Sequence, residues 1–390
     1  MPRPLPTELL DQILTDEDLD QVTLARCCCL SRARLDYFRS RLYSLVEIRF
    51  SLTEEDMGMG DTDFIYDRQS AALLVALGRY PQLGALVRST VFLTEGVEDS
   101  NIYTTKRQAV RGVLDACPNL QGLACPPYGE REIYDVLDRV QEERKFCLLD
   151  LGYPDNDMWD RLAMQRHDLE HLVFSNDDAA WRADPPDDGQ ADGLQLQSLT
   201  FLSASKGRTR DPAFFRALTA DSHNSLIRLR MPFTPGVVAD FSIFPNLAQL
   251  ELRTTPQADI SAVLASIRTA RNLTHLGLPT SLSPQDRTAL FASGGLSAAL
   301  PSTLKSLTLP HNVGPEDVLA VVEQVDRERA RLPDLCRIEF HGQRGHPENM
   351  FGPAVPTPDY SVAVRAGWEK GIRVVQTSKL PRRTYEYMHI

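Results

Sequence analysis

The chain has 390 residues, of which 42% are hydrophobic and 24% are charged, as in ordinary globular proteins. Its formal net charge of −11 makes nucleic acids and anionic membranes unfavourable partners, because both bind basic surfaces. We find no apolar run of transmembrane length, no signal-peptide core and no regular spacing of the seven cysteines, so we expect a cytoplasmic or nuclear protein with free thiols.

Residues 1–50 are predicted to form a small helical module. Thr7 can cap its first helix, whose apolar face includes Leu9, Ile13 and Leu14. Residues 51–68 are acidic and contain glycine, which is typical of a linker or a loop.

Three consecutive cysteines, Cys27, Cys28 and Cys29, lie in the helical stretch "LARCCCLSRARL". Each residue of a helix turns by about 100°, so the three thiols fan over about 200° and do not readily share one ion. No two cysteines have the C-x-x-C spacing that is common in zinc sites. We favour packing as small apolar side chains, with redox sensing and metal binding as the alternatives. We therefore expect neither a metal nor a cofactor.

One pattern recurs over residues 69–390: a helical segment, a few turn residues, and a short strand with the frame L-x-x-L-x-L. Nine frames follow one another at intervals of 21 to 31 residues. Two flanking segments, 87–93 and 371–377, are further strand candidates and bring the total to about ten to eleven repeats. The nine frames are Leu120/Leu123/Cys125, Phe146/Leu149/Leu151, Leu169/Leu172/Phe174, Leu196/Leu199/Phe201, Leu226/Leu229/Met231, Leu247/Leu250/Leu252, Leu273/Leu276/Leu278, Leu304/Leu307/Leu309 and Leu335/Ile338/Phe340.

The segments between the frames carry helix signals. Pro284 and Pro315 stand just inside predicted helix starts, where the missing N–H costs nothing. The stretches "CPNL", "FPNL", "ARNL" and "LPDL" end helices and begin strands. Repeated units of this kind predict an α/β repeat fold, a leucine-rich-repeat solenoid of alternating short parallel strands and helices. A doubly wound α/β domain is the alternative, but no glycine-rich phosphate loop opens any helix. Residues 175–193, with six aspartates and two prolines, are predicted to be a mobile surface insertion.

The first 48 residues resemble an F-box. The stretch "LPTELLDQIL" is similar to the family's opening Leu-Pro, Glu and apolar helix, "LSR" at 30–32 to its hydrophobic-Ser/Cys-basic element, and "LYSLVEI" at 42–48 to the closing element of fungal members. With the repeats behind it, the chain resembles fungal F-box proteins with leucine-rich repeats. The resemblance implies an F-box that binds the Skp adaptor, and through it the cullin, of SCF-type ubiquitin ligases, with repeats that bind a protein substrate. It implies an adaptor contact made by Leu5, Pro6, Leu9, Ile13, Leu14 and Leu30.

No catalytic constellation is visible, since the chain has no G-x-S-x-G, H-E-x-x-H or Walker motif. We therefore expect a non-catalytic receptor subunit. Two alternatives stay open: a leucine-rich-repeat interaction scaffold with no link to ubiquitin, and an N-terminal helical cap that merely seals the first repeat.

The substrate is expected on the concave face, because side chains alternate along a strand and those between the frame leucines point away from the core. Arg228, Arg230 and Arg253 would form a basic patch there, and arginine forks suit carboxylate or phosphate groups, so we predict an acidic or phosphorylated substrate. The alternative is that Arg230 simply pairs with Glu251, at about 0–1 kcal/mol and without functional meaning. The expected substrate-facing residues are Arg228, Arg230, Gln249, Glu251, Arg253, His275, Arg337, Glu339 and His341.

Overall fold

Two compact units divide the chain: unit 1 contains Met1–Leu123 and Tyr385–Ile390, and unit 2 contains Ala124–Thr384. A computed structural model describes part of each unit. The described residues are 26, 35–52, 64–66, 68–95, 110–124, 145–150, 158–174, 192–201, 212–233, 240–254, 260–278, 284–291, 295–310, 313–341 and 358–377.

Unit 1 contains a small sheet at its described N-terminal end. Strand β1 pairs in parallel with β3 and antiparallel with β2. Residues 110–116 are helical, and their apolar face is buried, as the spacing of Val110, Val113 and Leu114 predicts. The elements are α1 (Leu35–Ser44), β1 (Leu45–Leu52), β2 (Phe64–Tyr66), α2 (Arg68–Arg79), α3 (Pro81–Gly84) and β3 (Ser89–Glu95), followed by β4 (Gly122–Ala124) where the two units meet in sequence.

The start of the sheet differs from the sequence boundaries. Those boundaries give residues 45–50 to the helical module and residues 51–68 to a linker, whereas the structure has β1 across residue 50 and β2 within the linker range. The reason is local: Val46 and Ile48 are β-branched and buried, and such residues favour a strand that packs against a neighbour.

Unit 2 is a solenoid-like α/β repeat. From β5 onward, every strand pairs in parallel with the next strand along the chain. Parallel pairing of consecutive strands requires a crossover between them, and helices fill most of the described crossovers. The strands are β5 (Leu148–Asp150), β6 (His171–Phe174), β7 (Ser198–Phe201), β8 (Arg228–Phe233), β9 (Gln249–Thr254), β10 (His275–Gly277), β11 (Ser306–Thr308), β12 (Arg337–His341) and β13 (Arg373–Thr377).

The predicted frames set the register of this sheet. The middle residue of each frame lies opposite the middle residue of the next, from Leu149 and Leu172 through to Ile338, and β13 continues the column with Val374. All frame residues that the structure describes are buried, which leaves out only Cys125 and Leu151. Each buried leucine or phenylalanine contributes about 1.5–3 kcal/mol, so the column is the core of the repeat and the frame prediction is confirmed.

The helices of unit 2 pack against the face that carries the frame residues. The rings of Phe174 on β6 and Phe214 on a helix lie 5.9 Å apart, edge to face. Gly314 caps the longest described helix of the unit, and its backbone N–H donates to Asp317 at 2.8 Å, directly before the predicted Pro315. The described helices are α4 (Met158–Gln165), α5 (Pro212–Thr219), α6 (Ile260–Ile267), α7 (Pro284–Phe291), α8 (Gly295–Ala299), α9 (Pro315–Arg327) and α10 (Ser361–Glu369), and Phe241–Ile243 forms a 3-10 helix.

The turn motifs before the frames connect each repeat to the one before it. The side-chain amide of Asn246, from "FPNL", donates to the carbonyl of Asn224 at 2.6 Å, and Asn272, from "ARNL", donates to Pro245 at 2.7 Å. The hydroxyl of Thr303 donates to the carbonyl of Leu273 at 2.8 Å. These bonds satisfy turn carbonyls that would otherwise need water, and they fix the spacing between successive strands.

Candidate functional site

The face of the unit 2 sheet opposite the frame residues carries two aligned rows of side chains, and we call it the open face. Side chains alternate along a strand, so residues one before and one after the middle frame residue share this face. The first row, from β6 to β13, is His171, Ser198, Arg228, Gln249, His275, Ser306, Arg337 and Arg373. The second row is Val173, Thr200, Arg230, Glu251, Gly277, Thr308, Glu339 and Val375.

Exposure varies along the first row, where Gln249 and Arg337 are half-buried. Arg228, His275 and Arg373 are exposed, whereas the short Ser198 and Ser306 are buried between longer neighbours. Long side chains that carry hydrogen-bond donors are therefore separated along the row by short or less accessible side chains.

The two glutamates of the second row each form an ion pair with an arginine. The Nε atom of Arg230 lies 2.9 Å from Glu251 Oε1 on the next strand, without the alignment of a hydrogen bond. Arg337 Nε lies 2.5 Å from Glu339 Oε1 on the same strand. The pairing of Arg230 with Glu251 is the alternative that the sequence left open, and the structure has it. In the predicted basic patch, Arg230 is therefore paired with a carboxylate. Arg228 has no carboxylate close by among the described side chains.

Gly277 makes room for the first of these pairs. A Cβ atom at this position would lie 2.8 Å from Cγ of Glu251, which is closer than side chains approach. Because Gly277 has no side chain, the side chain of Glu251 can lie close to the backbone of β10 while its carboxylate pairs with Arg230.

The pKa values of both histidines in the first row are lowered, which favours the neutral form of each ring. Partial burial lowers the pKa of His275, Glu339 acts in the opposite direction, and the cations Arg337, Lys305 and Arg228 lower the pKa further. Partial burial also lowers the pKa of His171, against the effect of Glu170. Three cations and one carboxylate therefore act electrostatically at His275, and Glu339 has the largest effect of the four.

The structure brings most of the predicted substrate-facing residues together on β8, β9, β10 and β12. Arg228, Arg230, Gln249, Glu251, His275, Arg337 and Glu339 all lie in the two rows. Arg253 is opposite Pro232 and His341 is opposite Thr377 in the backbone register, and the side chains of these two lie outside the described part of the structure.

Several members of the two rows were missed by sequence reasoning: Ser198, Ser306, Thr308 and Arg373. They occupy the same offsets within the frame as the residues that were named. The signal was available, because once the frames are aligned the offset alone identifies each of these positions.

The predicted adaptor contact cannot be placed in this structure. Leu5, Pro6, Leu9, Ile13, Leu14 and Leu30 all lie outside the described residues, as do Cys27, Cys28 and Cys29. Within the described ranges, no three His, Cys, Asp or Glu side chains gather as potential metal ligands. No helix in those ranges has the length and apolar character needed to cross a membrane.

A second surface feature lies on the last described helix, α10. Trp368 is 85% exposed there, beside a groove of about 540 Å³. Gln376 on β13 is exposed although it lies opposite the buried Phe340, at the register position where earlier strands carry apolar frame residues. The groove is lined by Pro358, Asp359, Tyr360, Ser361, Val364, Arg365, Trp368 and Gln376.

Comparisons with known proteins give little beyond this geometry. No protein-family model matches the chain, and no curated protein matches it in sequence. A chain of the crystal structure of the yeast Rad7 and Elc1 complex is 11% identical, with 95% of this chain and 94% of that chain covered and a TM-score of 0.31. A chain of the X-ray structure of the FeFe-hydrogenase maturase HydG from Carboxydothermus hydrogenoformans is 11% identical, with 98% and 82% covered and a TM-score of 0.18. At TM-scores this low neither likeness carries an argument, so the fold rests on the strand register and the function on the open face and the sequence.

Proposed function

We propose that this chain is the substrate-recognition subunit of an SCF-type cullin-RING ubiquitin ligase. The N-terminal F-box-like module binds a Skp-type adaptor, and the open face of unit 2 binds a protein substrate. The chain performs no chemistry itself, and the ligase activity belongs to the assembly.

The observation that supports the receptor role is the open face. The accessible part of this face spans β8 to β13, where side chains stand in two aligned rows about 4.8 Å apart from strand to strand, whereas Val173, Ser198 and Thr200 on β6 and β7 are buried. This part of the face is rich in arginine, which is enriched in protein–protein interfaces. It suits a polypeptide, which can lie along many strands, better than a small molecule, which binds in a concave pocket.

The link to ubiquitin is supported by the resemblance of residues 1–48 to an F-box. A helical module of fewer than about 50 residues cannot bury most of its apolar surface alone. An adaptor that covers Leu9, Ile13 and Leu14 would stabilise the module as it binds.

The test is co-purification of a Skp-type adaptor and a cullin with the tagged full-length chain, followed by the same measurement on I13D. An unpaired charge buried in the contact costs about 3–5 kcal/mol, so I13D should lose the adaptor. The matched control is V75D, because Val75 on α2 is 68% exposed and a charge there stays in water. If the wild-type chain recovers no adaptor, the chain is an interaction scaffold without a link to ubiquitin. If I13D and V75D recover equal amounts, the assigned contact is wrong.

A further inference from the structure

The first row of the open face contains no carboxylate on any of its eight strands. The chain as a whole has 53 acidic residues and 42 lysines and arginines, whereas this row carries three arginines, two histidines and no acid. Glu251 and Glu339, in the second row, are each paired with an arginine, and Glu170 lies 3.9 Å from His171 on the first strand of the row.

Long donor-bearing side chains alternate with shorter ones along the middle of this row. Arg228, His275 and Arg337 stand on β8, β10 and β12, while Gln249 and Ser306 stand on the strands between them. Neighbouring strands are about 4.8 Å apart, so the two intermediate positions are about 10 Å apart. Ser306 is short and buried, so a bound group at this position would lie above it, at the level of the His275 and Arg337 side chains.

Cationic side chains stand beside both positions. A group above Gln249 lies between Arg228 and His275. A group above Ser306 lies between His275 and Arg337, whose Nε pairs with Glu339, and the exposed Lys305 is next to Ser306 in the chain. Arg228 has no carboxylate close by among the described side chains, so its guanidinium donors face solvent. The guanidinium fork binds carboxylate and phosphate groups with two parallel hydrogen bonds.

We infer that the open face binds a peptide in the polyproline II conformation that runs across the strands and places one anionic side chain above Gln249 and a second above Ser306. Such a chain has three residues per turn and advances about 3.1 Å per residue, so two anionic residues three positions apart share a face and are about 9 Å apart. The spacing of the peptide therefore matches the spacing of alternate strands. This inference rests on the proposed receptor function and names its substrate class: a segment with anionic residues at positions i and i+3, whether carboxylates or phosphates.

The experiment measures binding of fluorescein-labelled peptides to the purified full-length chain by fluorescence anisotropy at low salt. All peptides share a glycine–serine background, and two glutamates stand at i and i+1, at i and i+3, or at i and i+5. We expect the i and i+3 peptide to bind at least fivefold more tightly than the others. A further peptide has phosphoserines at i and i+3. Tighter binding of this peptide identifies phosphate as the natural group, and equal binding identifies carboxylate, and both results uphold the inference.

Three variants test the position of the peptide. Q249E replaces the amide below the first anionic side chain with a carboxylate of the same size, and it should weaken binding of the i and i+3 peptide at least tenfold. R228Q should weaken binding of the same peptide at least fivefold. The matched control is R216Q, because Arg216 is exposed on α5 and not on the open face. Circular dichroism establishes that each variant is folded.

Three results would overturn the inference: equal affinity for all spacings, equal affinity of Q249E and the wild type, or no measurable binding of any peptide. Adaptor co-purification is measured independently with I13D, so these results leave the proposed ligase role standing. Conversely, spacing-dependent binding without any adaptor would retain the peptide site and remove the link to ubiquitin.

Discussion

Ser222 is the residue whose removal should most directly weaken the connection between two repeats. Its hydroxyl donates to the carbonyl of Leu194 at 2.9 Å and accepts from the backbone N–H of Leu196 at 2.9 Å. Ser222 is fully buried, and so are both leucines. The single side chain therefore satisfies one donor and one acceptor of a neighbouring backbone segment that water does not reach.

S222A leaves both backbone groups without this partner. A buried polar group that loses its hydrogen bond costs about 1–3 kcal/mol, so the two groups together should lower the free energy of unfolding by about 2–6 kcal/mol. The loss of one buried oxygen atom is small beside this value. The matched control is S40A, because the hydroxyl of Ser40 donates to Tyr37 on the exposed surface of α1, where water can replace the bond. The control should lose less than about 0.5 kcal/mol.

Urea unfolding, followed by tryptophan fluorescence and by circular dichroism, measures the difference. Trp159 is a suitable reporter because it is buried and its ring lies 5.5 Å from Phe214, on the helix that precedes Ser222. If S222A unfolds at the same urea concentration as S40A, the two hydrogen bonds do not carry the connection, and the account of inter-repeat polar links given above fails.

The remaining predictions concern glycine positions and the histidine of the open face. A Cβ atom at Gly84 would overlap the carbonyl oxygen of Ala116, whereas one at Gly78, within α2, meets no atom within 4 Å. G84A should therefore lower the melting temperature, and G78A should raise the stability by up to about 1 kcal/mol, since alanine is the better helix former; equal shifts in calorimetry would contradict this. The pKa of His275 should fall further in E339Q, which removes the carboxylate that raises it, and should rise in R228Q, which removes a cation that lowers it. An NMR titration of the His275 ring in which both variants move its pKa in the same direction would refute this assignment of charges.

The fold of unit 2 was predictable from the sequence because its signal is local and repeated. The triplet Leu226, Leu229 and Met231 identifies a strand and its buried face without reference to any distant residue. Once successive frames are aligned, the pairing of Arg230 with Glu251 follows as well, because the two residues occupy the same offset on adjacent strands.

Two features could not be read in this way. Strand β1 lies in a stretch that is similar to the end of an F-box motif, and only the pairing of Val46 and Ile48 with a distant strand shows that it belongs to the sheet. Trp368 is 85% exposed, whereas a tryptophan at a helical spacing otherwise indicates a core residue. Both outcomes are set by tertiary context, which local patterns do not contain.

Three side-chain links between the turns of successive repeats point in the same direction along the chain. Asn246 donates to Asn224, Asn272 to Pro245 and Thr303 to Leu273, so each donor follows its acceptor in sequence. During synthesis on the ribosome, a repeat that has just emerged therefore finds its acceptors already in place, on a repeat that was made earlier. For these three links, deletion of repeats from the C-terminal end would remove donors and leave turn carbonyls, whereas deletion from the N-terminal end would leave side-chain amides and hydroxyls without their acceptors. Ser222 and Thr269 have the opposite relation, because each accepts from the backbone N–H of an earlier residue, Leu196 or Phe241. Shortening the array from either end would therefore leave some hydrogen-bonding groups without partners.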